Sequence, residues 1–190
     1  MIGLERDRSS FNKNETMLKE WFKLFSGLLL LPFLACGQVK KDWPTVGNDS
    51  LDGKIKFYLS NSVPFLTVDE LKDGFKDYVL LDTRTEEEYN VGCIPGAIFV
   101  GEKLEELPED LDEDTPIVLY CSIGYRSEKA GERLIEKGYK NVYNLYGSIF
   151  EWVNKGYKIE HKDGSTSDTI HTYNKRWSKF ITNDSIQSKW

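Results

Sequence analysis

The chain has 190 residues, enough for one ordinary domain with extensions, and 39% of them are hydrophobic, which excludes a wholly disordered protein. The formal charge is −6 with no long basic run, which argues against nucleic acid as a partner. The acidic stretch EKLEELPEDLDED at residues 102–114 reads as a solvated face.

Residues 17–36, MLKEWFKLFSGLLLLPFLAC, carry Lys19 and Lys23 ahead of an apolar run, residues 25–34. That run has the length of an export-signal core and falls short of the roughly 20 apolar residues a membrane span needs. Its last residues, FLAC, resemble the lipobox of bacterial lipoproteins, with Phe33 in place of the usual leucine. The resemblance implies cleavage before Cys36, lipid on that cysteine, and a periplasm-facing place in a bacterial cell envelope, on the membrane surface; an ordinary export signal and an uncleaved anchor are the alternatives. Residues 1–16 are polar and have no place in such a signal. They are read as an upstream misreading, with Met17 the true start. Residues 37–62 are polar, with Gly and Pro, and read as a linker.

From residue 63 the pattern alternates strand and helix. VPFLTVDELKDGF gives a short extended piece and then Thr67 as a helix N-cap, with Glu70 three positions on as a capping box. YVLLDTR is a buried strand ending in Asp82, followed by a helix capped by Thr83 or Thr85 with EEEY in its first turns. VGCIPGAIFV adds a turn and a short strand, and LEELPEDL reads as a weak helix. PIVLYC is the most apolar strand. The helix over residues 127–138 turns Ala130, Leu134 and Ile135 inward and stops at Gly138. NVYNLYG is another strand, and SIFEWVNKG is a helix with Ile149, Trp152 and Val153 inward. This alternation predicts one α/β domain over residues 63–160, a parallel central sheet flanked by helices. Ligand sites of such sheets lie at the carboxyl ends of strands, where Asp82 and Cys121 emerge. In the extension, residues 161–190, Ile170, Tyr173, Trp177, Phe180 and Ile181 fall at roughly helical spacing. They predict a helix packed on the domain or, alternatively, a partner-docking segment. His171 is read as structural.

Cys36, Cys93 and Cys121 are the three cysteines, too few for a disulfide framework. With both histidines in the extension, no metal site is expected. The stretch YCSIGYRSEKAG places Cys121 between strand and helix. The first N–H groups of a helix lack partners, and Gly124 permits a positive φ that turns successive N–H groups towards one point. The helix N-terminus and the Arg126 cation both favour an anion there. Together these lower a thiol pKa, and the thiolate is the reactive form. The opposing reading is a buried, inert cysteine.

Three blocks in order, LLDTRTEEEYNVGCIPGAI, VLYCSIGYRSEKAG and NVYNLYGSIFEW, resemble the rhodanese homology domain over about residues 66–157. The resemblance implies thiosulfate sulfurtransferase-like activity: sulfane sulfur passes from a small-molecule donor to a thiol or cyanide acceptor. Cys121 would carry the persulfide and Ser122, Ile123, Gly124, Tyr125 and Arg126 would surround it. Asp82, Arg84 and Glu88 would support the site. No cofactor is implied, and the oligomeric state is left open. Two departures stand out. Cys93 replaces the usual histidine and is either a buried small side chain or a candidate resolving thiol for Cys121. Ser148 replaces a glycine and is expected to affect little beyond the turn into the last helix. Four residues separate Cys121 from Arg126. The related phosphatases and arsenate reductases have one more, so the spacing favours sulfur transfer over oxyanion chemistry. A non-catalytic or sulfur-carrier binding module is the alternative.

Overall fold

The structure, a computed structural model, describes residues 43–190. The expected signal and lipidation site at Cys36, and the residues before them, lie outside the described part.

Helix α1 (Asp49–Tyr58) comes first, capped by the Asn48 side chain, which accepts from the Leu51 N–H at 3.1 Å. Strand β1 (Phe65–Leu66) and helix α2 (Val68–Asp73) follow. Thr67 and Glu70 form the capping box that the sequence predicts. Next come β2 (Val79–Asp82), α3 (Glu86–Val91), β3 (Ile98–Phe99), β4 (Ile117–Tyr120), α4 (Tyr125–Glu136), β5 (Val142–Leu145) and α5 (Ser148–Asn154). The five strands form one wholly parallel sheet in the order β1-β5-β4-β2-β3. This is the parallel α/β architecture that the alternation predicts, with helices on both faces.

Side-chain alternation along β4 separates the two faces. Val118 and Tyr120 join the larger core with Leu51 and Ile55 of α1, Leu71 of α2 and Ile149 and Phe150 of α5. Ile117 and Leu119 join the smaller core with Ala130 and Leu134 of α4. Because every strand runs the same way, the carboxyl ends of β2 and β4 share one rim. Asp82 pairs in register with Tyr120, one residue before Cys121.

The extension folds as strands rather than as the predicted helix. β6 (Ile159–Glu160), at the end of the predicted domain, pairs antiparallel with β7 (Thr166–Ser167), and β8 (Thr169–His171) pairs parallel with β9 (Gln187–Lys189). Helical structure there amounts to α6 (Lys175–Ser178), one turn capped by Asn174. The Ile170 and Phe180 side chains that mimic a helical stripe are buried on the larger core from separate elements. Gly92 makes the docking possible, since a Cβ there would run into the Thr169 carbonyl.

Three further corrections concern local structure. Residues 49–58 of the expected linker form α1, whose Leu51 and Ile55 are fully buried one helical turn apart. LEELPEDL forms turns, since Pro108 interrupts it and its charged residues offer little to bury. Ile135 is 43% exposed, because the inward face of α4 runs through Ala130 and Leu134. Among the described residues no helix is long and apolar enough to cross a membrane.

Truncating Ile55 to alanine should therefore lower the unfolding free energy by about 2–5 kcal/mol, the usual cost of a core cavity. A urea titration of Ile55→Ala measures this. A loss near zero would mean that α1 is a tether after all.

Candidate active site

β4 delivers Cys121 to the rim, and the next residues wrap over the sheet end to Gly124, the N-terminal flank of α4. Gly124 has φ 116°, which suits glycine, and its N–H donates to the Cys121 sulfur at 3.2 Å. The loop is fixed from two sides. The Ile149 and Phe150 N–H groups at the start of α5 donate to the carbonyls of Cys121 and Ser122. Fully buried Asn144 of β5 donates to the Gly124 carbonyl at 3.0 Å and accepts from the Ser127 hydroxyl at 2.8 Å. Burial pushes the Cys121 thiol pKa up. The Arg126 cation and the N–H groups of Ser127, Gly124 and Ile123 outweigh it and hold the thiol below its ordinary value.

Arg126 in turn grips Glu88. Its Nη1 and Nη2 donate to the two carboxylate oxygens at 2.6 and 2.8 Å, and Nη2 also reaches the Ser122 hydroxyl at 3.0 Å. Glu88 is also the reciprocal partner of Thr85 in the capping box of α3, so Thr85 rather than Thr83 is the cap. Burial opposes the Glu88 carboxylate, but Arg126 and the Thr85 N–H overcome it and hold its pKa at about 2. Thr83 instead hydrogen-bonds the Tyr120 carbonyl at 2.9 Å.

Asp82 and Arg84 form a second, wholly buried ion pair at 2.6 Å. Arg84 Nη2 also donates to the Gly92 carbonyl at 2.8 Å, tying the β2 end to the turn before Cys93. Arg84 Nη1 is buried without a partner. The pair is buried at the carboxyl end of β2.

Cys121, Ser122, Ile123, Tyr125 and Arg126 line one cavity of about 630 Å³. Tyr58, Thr85, Glu102, Tyr173 and Trp177 complete it. Cys93 does not line it. Its thiol donates to the Glu160 carbonyl at 3.3 Å, in a bridge between the two residues. Burial first and Asp82 second push that thiol up to about 11, the reverse of Cys121. This environment fits the small buried side chain and gives no support to a resolving thiol. Among the described residues no group of three or more His, Cys, Asp or Glu is placed to hold a metal ion.

Some site residues carry no local signal in the sequence. Ser148, expected to matter little, accepts from the Cys121 N–H at 3.2 Å and donates to the Leu145 carbonyl at 3.1 Å. It adopts φ 51°, the conformation for which a glycine would serve, so the hydroxyl exchanges backbone ease for a hydrogen bond to the loop. Asn144 lies in the middle of an apparently ordinary strand. Tyr58, Tyr173 and Trp177 reach the cavity from segments read as linker and helix.

The family described as the rhodanese-like domain matches residues 67–155. The chain is 33% identical over 78 residues to the thiosulfate sulfurtransferase GlpE of Coxiella burnetii, spanning 40% of this chain and 73% of that one. It is 35% identical over 94 residues to a sulfurtransferase of Allochromatium vinosum, spanning 47% and 84%. A solved rhodanese-related protein from Thermoplasma volcanium is 28% identical, with a TM-score of 0.47, covering 51% of this chain and 97% of that one.

The depressed Glu88 pKa makes the site a pH-dependent source of stability. A carboxyl group that titrates lower when folded stabilises the fold above its unfolded pKa, near 4.5, and loses that contribution as pH falls towards 2. The shift corresponds to roughly 3 kcal/mol. Urea midpoints measured between pH 5 and 2, in steps of about half a unit, should fall less steeply for Glu88→Gln than for the wild type. Parallel curves would show that Glu88 titrates normally.

Proposed function

The chain belongs to the family of rhodanese-like domains, and from that premise we propose that it is a sulfurtransferase working through a persulfide on Cys121. The observation that carries this is the Cys121 sulfur itself, at the head of α4, accepting from the Gly124 N–H at 3.2 Å beside the Arg126 cation. The Cys121 thiolate attacks the outer sulfur of a donor such as thiosulfate. A bond forms between Sγ and that sulfur, the donor's S–S bond breaks, and its electron pair leaves with sulfite. A thiolate acceptor, or cyanide in the test tube, then attacks the outer sulfur of the persulfide and restores the Cys121 thiolate. The covalent intermediate divides the transfer into two easier steps. The loop from Ser122 to Arg126 supplies N–H groups and a cation to the anionic sulfur in both halves. Glu88 positions Arg126, and the Asp82–Arg84 pair positions the rim. The similarity to two proteins called sulfurtransferases supports this reading.

The same domain is proposed to work outside the cytoplasm of a bacterium, held on a membrane surface by lipid on Cys36. The support is the apolar run ending in FLAC at residues 33–36.

Three experiments test these proposals. Purified protein should form thiocyanate from thiosulfate and cyanide, and Cys121→Ser should reduce the rate to background. Mass mapping should find one added sulfur atom on Cys121 after thiosulfate alone. Background rates in the wild type, with no added sulfur, would refute the reaction. In cells fed a labelled fatty acid, the wild type should take up label and Cys36→Ser should not. Equal labelling of the two would refute the lipid anchor.

A further inference from the structure

The cavity over Cys121 is larger than thiosulfate needs. Its volume of about 630 Å³ falls inside the roughly 300–1,000 Å³ range of pockets that enclose organic ligands, whereas thiosulfate is about the size of sulfate. Its walls are aromatic. Tyr58 lies 6.2 Å from Tyr125 and 6.0 Å from Trp177, ring centroid to ring centroid, and the Arg126 guanidinium stands 5.7 Å from the Tyr173 ring. Tyr58, Tyr173 and Trp177 all lie outside residues 67–155, so α1 and the extension add them to the shared domain.

The charges agree with the shape. Arg126 is the one cationic residue among those lining this cavity, and Glu88 already holds both its terminal nitrogens. Glu102 adds a negative group to the lining. Arg126 shares its charge between Glu88 and the Cys121 sulfur, so a bare dianion has no cation to itself, while an apolar ring gains from stacking on the walls. Tyr173 is also held in an uncommon conformation, with φ 65° and its N–H donating to His171 Nδ1 at 3.2 Å. The β8–β9 pairing anchors the residues just before it. A tyrosine 61% exposed in that region of backbone space is costly and persists because its surroundings impose it.

We propose that this aromatic wall selects an organic sulfane-sulfur donor, R–X–S⁻, in which X is a sulfonyl group or a sulfur atom and R is an apolar group about the size of an aromatic ring. The inference rests on the sulfurtransferase reading and names its substrate class. The Cys121 thiolate attacks the terminal sulfur, the Sγ–S bond forms, the X–S bond breaks, and its electron pair leaves with R–X⁻, a sulfinate or a thiolate. Charge is conserved, and no proton, oxidant or reductant enters. R stays against Tyr58, Tyr173 and Trp177 while its sulfur meets Cys121.

Benzenethiosulfonate and methanethiosulfonate present the same reacting atoms and differ in R, with thiosulfate as a third donor. Each is assayed by mass for sulfur added to Cys121, and its rate is divided by that of its reaction with free cysteine. The corrected kcat/KM should favour the benzene donor over the methane donor by roughly tenfold. Tyr173→Ala and Trp177→Ala should each reduce that preference severalfold through KM, and Tyr173→Phe should keep it. Tyr173 is exposed, so its variants report even if Trp177→Ala unfolds. A corrected preference near one, or one unchanged in every variant, overturns the inference and leaves the sulfurtransferase reading standing. Absence of sulfur on Cys121 from all three donors overturns the reading and the inference with it.

Discussion

The contact between Glu88 and Arg126 holds the site together. A carboxylate and a guanidinium removed from water are costly unless each finds the other with good geometry, and here two short hydrogen bonds supply it. Glu88 belongs to the first turn of α3 and Arg126 to the first turn of α4, so one ion pair fixes the exits of β2 and β4 against each other. The Ser122 hydroxyl donates to the same carboxylate and brings the residue next to Cys121 into the network. Arg126 thus serves two anions, the permanent one at Glu88 and the thiolate at Cys121. Glu88 orients the guanidinium and also weakens its pull on anything else. The Cys121 thiolate is held by Arg126 first and then by backbone N–H groups, whose positions the folded loop fixes.

The parts of this arrangement that are local in sequence are legible there. The capping box at Thr67, a threonine cap for α3, the apolar runs of β2 and β4, and the strand–Cys–loop–helix unit each lie within a dozen residues or so. What the sequence hides depends on partners far along the chain. α1 offers two buried apolar residues around a mid-helix glycine, a pattern too sparse to separate from a polar tether until the core it covers is known. Ile170 and Phe180 have helical spacing but belong to a strand and a turn, because β8 finds its partner in β9 at the end of the chain. Ser148 looks like a small loss at a glycine position. Its value appears when the Cys121 N–H is found above it.

The aromatic side of the cavity follows the same logic. The shared domain supplies the loop and the sulfur, and segments on either side of it supply the rings. The chemistry is compact in the sequence, while the selectivity is spread over its ends. Close approach of backbone at Gly92 joins the two, because the extension can cross that turn where no side chain intervenes.

The order of the sheet has a kinetic consequence. β1, the first strand made, pairs with β5, the last strand of the sheet, and Phe65 meets Asn144 across that seam. Until β5 arrives, β1 has no neighbour and its backbone groups stay in water. Closing a loop of that length costs entropy before any contact compensates for it, so local contacts within the sheet have the advantage over this seam. A chain emerging from a ribosome therefore cannot complete its sheet until Leu145 has been delivered.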